Sequence, residues 1–335
     1  MNVEDINGVP THVFSLKADH YARPRNSSLL LVVPGSPGMG HFYIPFASKL
    51  FELGRGRYDV AVVSHAGHSP GHIRPSQVAP LRPKDAPNRS KDSHASRGED
   101  MQYSGDGSAD HVTQLDRDWY SLEDQVAHKL EYLRKHASNK DSLFLVGHSI
   151  GSWMILQMLQ KLEPSRVKKV ALLFPTIEKM GITPNGQKLA PLFSTLRRPF
   201  TALVWLLSSF PNFFRRFVLN HYFHTTPSEH VEHMSQATMN ITSDSMYNIL
   251  RMAYQEMDEV VEPPLHVIDK HIDKMVFYYG VGDRWTVESC YEDMAARYPD
   301  KDVYLCSKGF PHAFVECASD EMAEFVYSKL PNNES

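Results

Sequence analysis

Between Leu143 and Leu156 the chain reads LFLVGHSIGSWMIL, and a strand pattern gives way to a helical one within a few residues. Leu143 to Val146 is an unbroken apolar run, as in a strand buried on both faces. Trp153 onward reads as a helix. The polar residues near the join are His148, Ser149 and Ser152, and Ser149 stands two residues from Gly147 on one side and Gly151 on the other. A corner this tight needs glycine where side chains would collide, and it pushes the residue between them out beyond the strand's end.

Other apolar runs repeat the strand half of this pattern. They begin at Thr11 (THVFSLKA), Ser27 (SSLLLVVPG), Tyr58 (YDVAVVSHAG), Val167 (VKKVALLFP), Lys274 (KMVFYYGVGD) and Lys301 (KDVYLCS). Helical patterns fall between them. From Ser121, the segment SLEDQVAHKLEYLRKH places Leu122, Val126, Leu130 and Leu133 on one face, with Ser121 as the expected N-cap and acidic residues in the first turn. Such alternation predicts an α/β fold with a mostly parallel sheet covered by helices on both faces. Two segments break the rhythm. Residues 74–111 are polar and proline-marked, and are expected to be a disordered loop. Residues 177–271 are aromatic-rich and helical in pattern, and are expected to form a cap. The core is thus divided into an N-terminal part, 1–176, and a C-terminal part, 272–335.

Composition narrows the function classes. An apolar fraction of 42% in 335 residues supports a sizeable core, and a net charge of −4 with no basic stripe argues against nucleic acid as a partner. The three cysteines form no CxxC, which fits a reducing compartment. The opening MNVEDINGVP has no apolar stretch and is not expected to be a secretory signal, so the sequons at Asn26, Asn88 and Asn240 read as chance matches.

Gly147-His148-Ser149-Ile150-Gly151 fits G-x-S-x-G, the nucleophile elbow, in its strand–turn–helix context. A hydroxyl is a poor nucleophile until a base takes its proton, and the base needs an orienting acid. Asp283 follows a late strand and His312 follows the last one, in the chain order Ser, Asp, His that this elbow requires. Asp283 also reads as a cap for the next helix; Asp273 and Glu288 are weaker candidates because neither directly follows the strand. The helix N-terminus favours negative charge. Oxyanion donors are expected at the backbone amides of Ile150 and of Ser36, the latter in VVPGSPGMG after the early strand. His65 and His68, in SHAGHS, have no acidic or thiol partner arranged nearby, so they read as a strand-end turn and no metal is expected. The chemistry expected of this set requires no cofactor.

VVPGSPG, SHAGH, LVGHSIGS, LLFPTIEKM, TPNGQ, FYYGVGDRW and PHAF together resemble the lipid droplet-associated hydrolases of the α/β-hydrolase superfamily. The resemblance runs from about Leu29 to Phe314, and the pairing of GHSIGS with LLFPTIE is far more specific than the elbow alone. It implies an α/β-hydrolase fold and a triad of Ser149, Asp283 and His312. It also implies an esterase acting on a neutral lipid such as a sterol ester, resident on lipid droplets and on the cytosolic face of the endoplasmic reticulum. The 74–111 loop is longer than the family pattern.

From Pro199 to Phe214, PFTALVWLLSSFPNFF carries no charge for 16 residues and is bracketed by Arg197, Arg198, Arg215 and Arg216. That is short of the roughly 20 residues needed to span a bilayer, and Pro211 interrupts a helix. Two short elements that enter and leave on one side are expected. Phe200, Leu203, Val204, Trp205, Leu206, Leu207, Phe210, Phe213 and Phe214 would enter a phospholipid monolayer, with the arginines among its headgroups. The competing reading is a cap packed on its own core. For the whole chain, the rival to an enzyme is a lipid-surface binding or tethering protein with a retained, weakly active triad.

Overall fold

The computed structural model describes residues 1–18, 28–68, 119–222 and 228–331. The polar loop expected at 74–111 lies outside the described residues. The chain opens with β1 (Asn2–Ile6) and β2 (Val9–Leu16), an antiparallel hairpin. Its turn is Asn7-Gly8, both with positive φ (53° and 82°), the pair that two-residue hairpins favour. The expectation of a first strand at Thr11 is therefore corrected: that strand starts at Val9, and β1 precedes it. An edge strand has one face in water, so β1 carries Glu4 and Asp5 while burying Ile6.

There follow β3 (Ser28–Val33), α1 (Ile44–Gly54), β4 (Asp59–Val63), α2 (Leu122–His136), β5 (Ser142–His148), α3 (Ile150–Leu159) and β6 (Val167–Leu173). The chain then runs through α4 (Pro184–Phe193), α5 (Arg197–Ser208), α6 (Asn212–Tyr222), α7 (Ser228–Met239), α8 (Ser243–Glu259) and α9 (Leu265–His271). It closes with β7 (Met275–Gly280), α10 (Glu288–Arg297), β8 (Val303–Cys306) and α11 (Ser319–Lys329).

The strands form one sheet in the order β1-β2-β4-β3-β5-β6-β7-β8, parallel from β4 to β8. β3 shows why such strands are apolar throughout. Leu29, Leu31 and Val33 join the core on the face of α2, α3, α9 and α10, whereas Leu30 and Val32 join the core beneath α1 and α11. Successive side chains point to opposite faces, and both faces are dry. β3 has β4 on one side and β5 on the other, so the connections leaving their C-terminal ends diverge and open a crevice there. Ser121 caps α2 as expected, in a reciprocal capping box with Asp124. Less expected is a buried polar chain along α2. Lys129 Nζ donates to the Ser64 carbonyl (3.0 Å) and to His128 Nδ1 (3.1 Å), and His128 Nε2 donates to Thr11 Oγ1 (2.8 Å), whose own proton goes to the Val9 carbonyl (2.9 Å). Every link is satisfied, which is what keeps such a chain tolerable in a core.

In the helical stretch between β6 and β7, α9 falls inside the interval expected to be a cap but packs instead against α3, where Val267 and Ile268 enter the sheet's core. α8 buries Glu256, whose Oε1 has no hydrogen-bond partner. Burial pushes this carboxyl up to about 8. The folded chain then holds a proton that the unfolded chain has released from about pH 4.5 upward. Its contribution to stability is present in full below that pH and is lost as pH rises through about 8. Urea unfolding should show Glu256→Gln gaining on the wild type by on the order of 3 kcal/mol between pH 5 and pH 8. A difference that does not change with pH would show that Glu256 is ionised in the fold.

Candidate active site

At the crevice, β5 ends at His148 and α3 begins at Ile150, leaving Ser149 alone at the corner with φ 53° and ψ −127°. A non-glycine residue held there is strained, and the surroundings must fix it. The Ser149 amide donates to the Leu173 carbonyl (3.0 Å), and Ser152 Oγ to the Gly147 carbonyl (3.1 Å). The flanking glycines are required by contact. A Cβ on Gly147 would lie 2.8 Å from the Gly151 carbonyl and the Ser152 backbone, and one on Gly151 would drive into the carbonyl oxygens of Val33 and Pro34.

Asp283 follows β7 and His312 follows β8, and both reach the corner. His312 Nε2 lies 2.9 Å from Ser149 Oγ, and His312 Nδ1 lies 2.6 Å from Asp283 Oδ2. With the carboxylate accepting at Nδ1, Nε2 is left bare to accept from the serine. The Asp283 side chain is 2% exposed. Burial alone would raise its pKa, but hydrogen bonds from His312, the Trp285 amide (2.7 Å) and Thr286 (Oγ1, 2.8 Å) outweigh it and hold the carboxyl below its ordinary value. Asp283 does not cap the next helix, since the N-cap of α10 is Val287 with no side-chain cap bond; its bonds to Trp285 and Thr286 shape the turn before that helix. The weaker candidates are engaged elsewhere: Asp273 pairs with Lys301 (2.8 Å), and Glu288 accepts from the Gly282 amide (3.1 Å).

The loop after β3 lies against the serine. A Cβ on Gly35 would stand 2.7 Å from Ser149 Cβ, and the next residue, Ser36, is exposed. Ile150 opens α3, and its amide has no carbonyl one turn back within that helix. His65 and His68 pack edge-on, with ring centroids 5.3 Å apart, below this loop, and His68 Nδ1 donates to the Pro37 carbonyl (2.7 Å). Among the described residues no group of three or more His, Cys, Asp or Glu is arranged to hold a metal.

Three residues at the corner were not anticipated. Thr176 Oγ1 lies 3.5 Å from Ser149 Oγ. Tyr43 and His148 are buried beneath it and hydrogen-bonded to each other. His148 stood in plain view as the variable position of G-x-S-x-G; its partner is remote in sequence.

The uncharged run resolves into α5 and α6 with a turn at Ser209–Pro211, so Pro211 lies between helices. Leu203, Trp205 (62%), Leu206, Leu207, Phe210, Phe213 (76%) and Phe214 each expose 43% or more, as does Phe217 beyond the run, though Leu207, Phe210 and Phe214 also line the cavity beside Val204. Phe200 and Val204, expected among them, do not. They lie one turn apart on α5, half-buried: Phe200 packs with Phe193, Leu250 and Ala253, and Val204 lines a cavity of about 210 Å³ with Leu219, Ile241 and Met246. The face that α5 lays on α8 decides this, and an unbroken apolar run does not reveal which face that is. Arg198 and Arg216 are exposed, the latter paired with Glu232 (2.8 Å). Arg197 and Arg215 instead donate to the carbonyls of Phe193 (3.0 Å) and Met239 (2.9 Å). No helix among the described residues is long and apolar enough to cross a membrane.

A family model described as lipid-droplet associated hydrolase matches residues 26–315. The human protein named Lipid droplet-associated hydrolase is 33% identical over 313 residues, covering 92% of this chain and 86% of its own. A Drosophila melanogaster protein of the same name is 29% identical over 327 residues, covering 96% and 95%. Among solved structures, an esterase from Exiguobacterium antarcticum matches with a TM-score of 0.59 at 11% identity, covering 97% of both chains. A 2-hydroxy-6-oxo-6-phenylhexa-2,4-dienoate hydrolase from a Rhodococcus species matches with a TM-score of 0.57 at 14% identity, covering 96% and 94%. At such identities the likeness speaks for the fold alone. The family model and the curated relatives span most of the chain, which therefore belongs to the lipid droplet-associated hydrolase family and is a hydrolase of the α/β-hydrolase fold.

Proposed function

We propose that the chain is a serine ester hydrolase acting on neutral lipid esters, sterol esters among them, at the surface of lipid droplets. The observation that carries this reading is the imidazole of His312, within hydrogen-bond reach of Ser149 on one side and Asp283 on the other. Ser149 Oγ attacks the ester carbonyl as His312 Nε2 takes its proton, and the amides of Ser36 and Ile150 hold the tetrahedral oxyanion. Asp283 keeps the imidazole in the right tautomer and stabilises its charged form. His312 then returns the proton to the departing alcohol, leaving the acyl group on Ser149. Water, deprotonated by His312, attacks that acyl-enzyme and releases the carboxylic acid.

Residues 177–271 less α9 form the cap on this reading, and the α5–α6 pair is the part that meets lipid. Its exposed apolar side chains form a broad patch of the kind that marks an interaction surface. The turn at Ser209–Pro211 lets the pair enter and leave one monolayer, as an oil-filled droplet requires. Arg198 and Arg216 stand at its flanks for headgroups. The same patch suits the cytosolic face of the endoplasmic reticulum.

A fluorophosphonate probe should label the wild type on Ser149, and Ser149→Ala should abolish both labelling and turnover of a soluble short-chain ester. A folded, lipid-loaded wild type that resists the probe would favour a surface-binding protein instead. Asp283→Asn should lower kcat by about 10³–10⁴-fold; a loss under tenfold would remove Asp283 from the triad. Replacing Trp205 and Phe213 together by Asp should weaken flotation with phospholipid-coated oil droplets by at least about tenfold, with far-UV circular dichroism unchanged. Undiminished flotation would show that the pair does not meet lipid.

A further inference from the structure

Beneath Ser149 a second set of hydrogen bonds runs from the loop after β3 through the end of β5 to the loop after β8. The Gly35 amide donates to Tyr43 Oη (2.8 Å), Tyr43 Oη lies 2.5 Å from His148 Nδ1, and His148 Nε2 lies 2.8 Å from the His312 carbonyl oxygen. The chemistry of the end groups fixes every proton. A carbonyl only accepts, so Nε2 of His148 carries the hydrogen, and an amide only donates, so Tyr43 Oη accepts from Gly35. The His148 ring is neutral, since burial, with His312 beside it, pushes its pKa down to about 3. Its Nδ1 is therefore bare and accepts the Tyr43 proton. All donors point one way, from the loop after β3 to the loop after β8.

Tyr43 and His148 are both buried, and aromatic rings seal them in. Phe314 packs edge-on against His148 and Tyr43, with centroids 5.0 Å and 6.4 Å away, and Phe174 packs edge-on against His148 at 6.2 Å. Without water to compete, these bonds are stronger and more directional than surface ones. Their two ends are the positions that acyl transfer must hold in register. At one end Gly35 immediately precedes the Ser36 amide; at the other is the backbone of His312.

We propose that Tyr43 and His148 are positioning residues that clamp the oxyanion loop to the loop carrying the base, so that the Ser36 amide and the His312 imidazole stay aligned on Ser149 together. The inference rests on the triad reading above. Neither residue touches substrate, so their loss should act on kcat rather than KM.

The test compares His148→Phe, His148→Gln and Tyr43→Phe in the full chain, using turnover of a soluble p-nitrophenyl ester and the low-field proton NMR signal of the His312–Asp283 hydrogen bond. His148→Phe should lower kcat by about 100-fold, because a misplacement of about an ångström costs that much, with KM within about threefold, and should broaden or lose the NMR signal. His148→Gln retains an N–H for the His312 carbonyl and should recover about tenfold of that loss, and Tyr43→Phe should fall between the two. If His148→Phe does not fold, the other two decide: both at wild-type kcat with an unaltered signal overturn the proposal. A folded His148→Phe with kcat within twofold of wild type and an intact signal overturns it as well. If the wild type itself turns over no ester, the triad reading fails, and the signal alone then decides the clamp: its loss in His148→Phe and Tyr43→Phe supports it, and its survival in both refutes it.

Discussion

The imidazole of His312 lies between Ser149 Oγ (2.9 Å) and Asp283 Oδ2 (2.6 Å), and these three residues come from three strand ends that share no local sequence. What brings them together is the parallel ladder continuing one step past the strands. The Ser149 amide donates to Leu173, Phe174 to Tyr278, and Val281 to Cys306. Each bond ties the first residues of one loop to the neighbouring strand, so β5, β6, β7 and β8 deliver their loops at one edge in fixed register. In an antiparallel sheet neighbouring strands would deliver their C-terminal ends to opposite edges, and the same residues could not meet this way.

The apolar strands and the polar edge depend on each other. The central strands are packed on both faces, so a slip would unseat every one of their side chains from close-packed neighbours. That rigidity supports the strained backbone at Ser149 and the desolvated carboxylate of Asp283, each unfavourable alone. The carboxylate's hydrogen bonds more than offset its burial, and they come from His312 and from the turn it shapes. Strand-end bonds hold the corner, and on the proposed reading Asp283, Tyr43 and His148 brace it as well.

The parallel strands were legible because double burial leaves long unbroken apolar runs. Ser149, Asp283 and His312 were legible because each stands in the stretch that follows a strand, so strand position reported spatial position. β1 was not read, since an edge strand with one wet face looks like any polar terminus; its Asn-Gly turn was the available signal. Phe200 and Val204 were misplaced because a uniformly apolar run has no periodicity to reveal which face packs, and α8 makes that choice. The Tyr43–His148 contact joins residues 105 apart in sequence, neither distinctive by itself, and only the folded sheet brings the turn after β3 under the elbow.

The most direct test of the central claim is a crystal structure of the protein after reaction with a fluorophosphonate. The proposed mechanism predicts phosphorus bonded to Ser149 Oγ, with one phosphonyl oxygen about 2.7–3.1 Å from both the Ser36 and Ile150 amides and His312 still against Asp283. Phosphorus on another residue, or an oxygen turned away from both amides with His312 displaced, would contradict it.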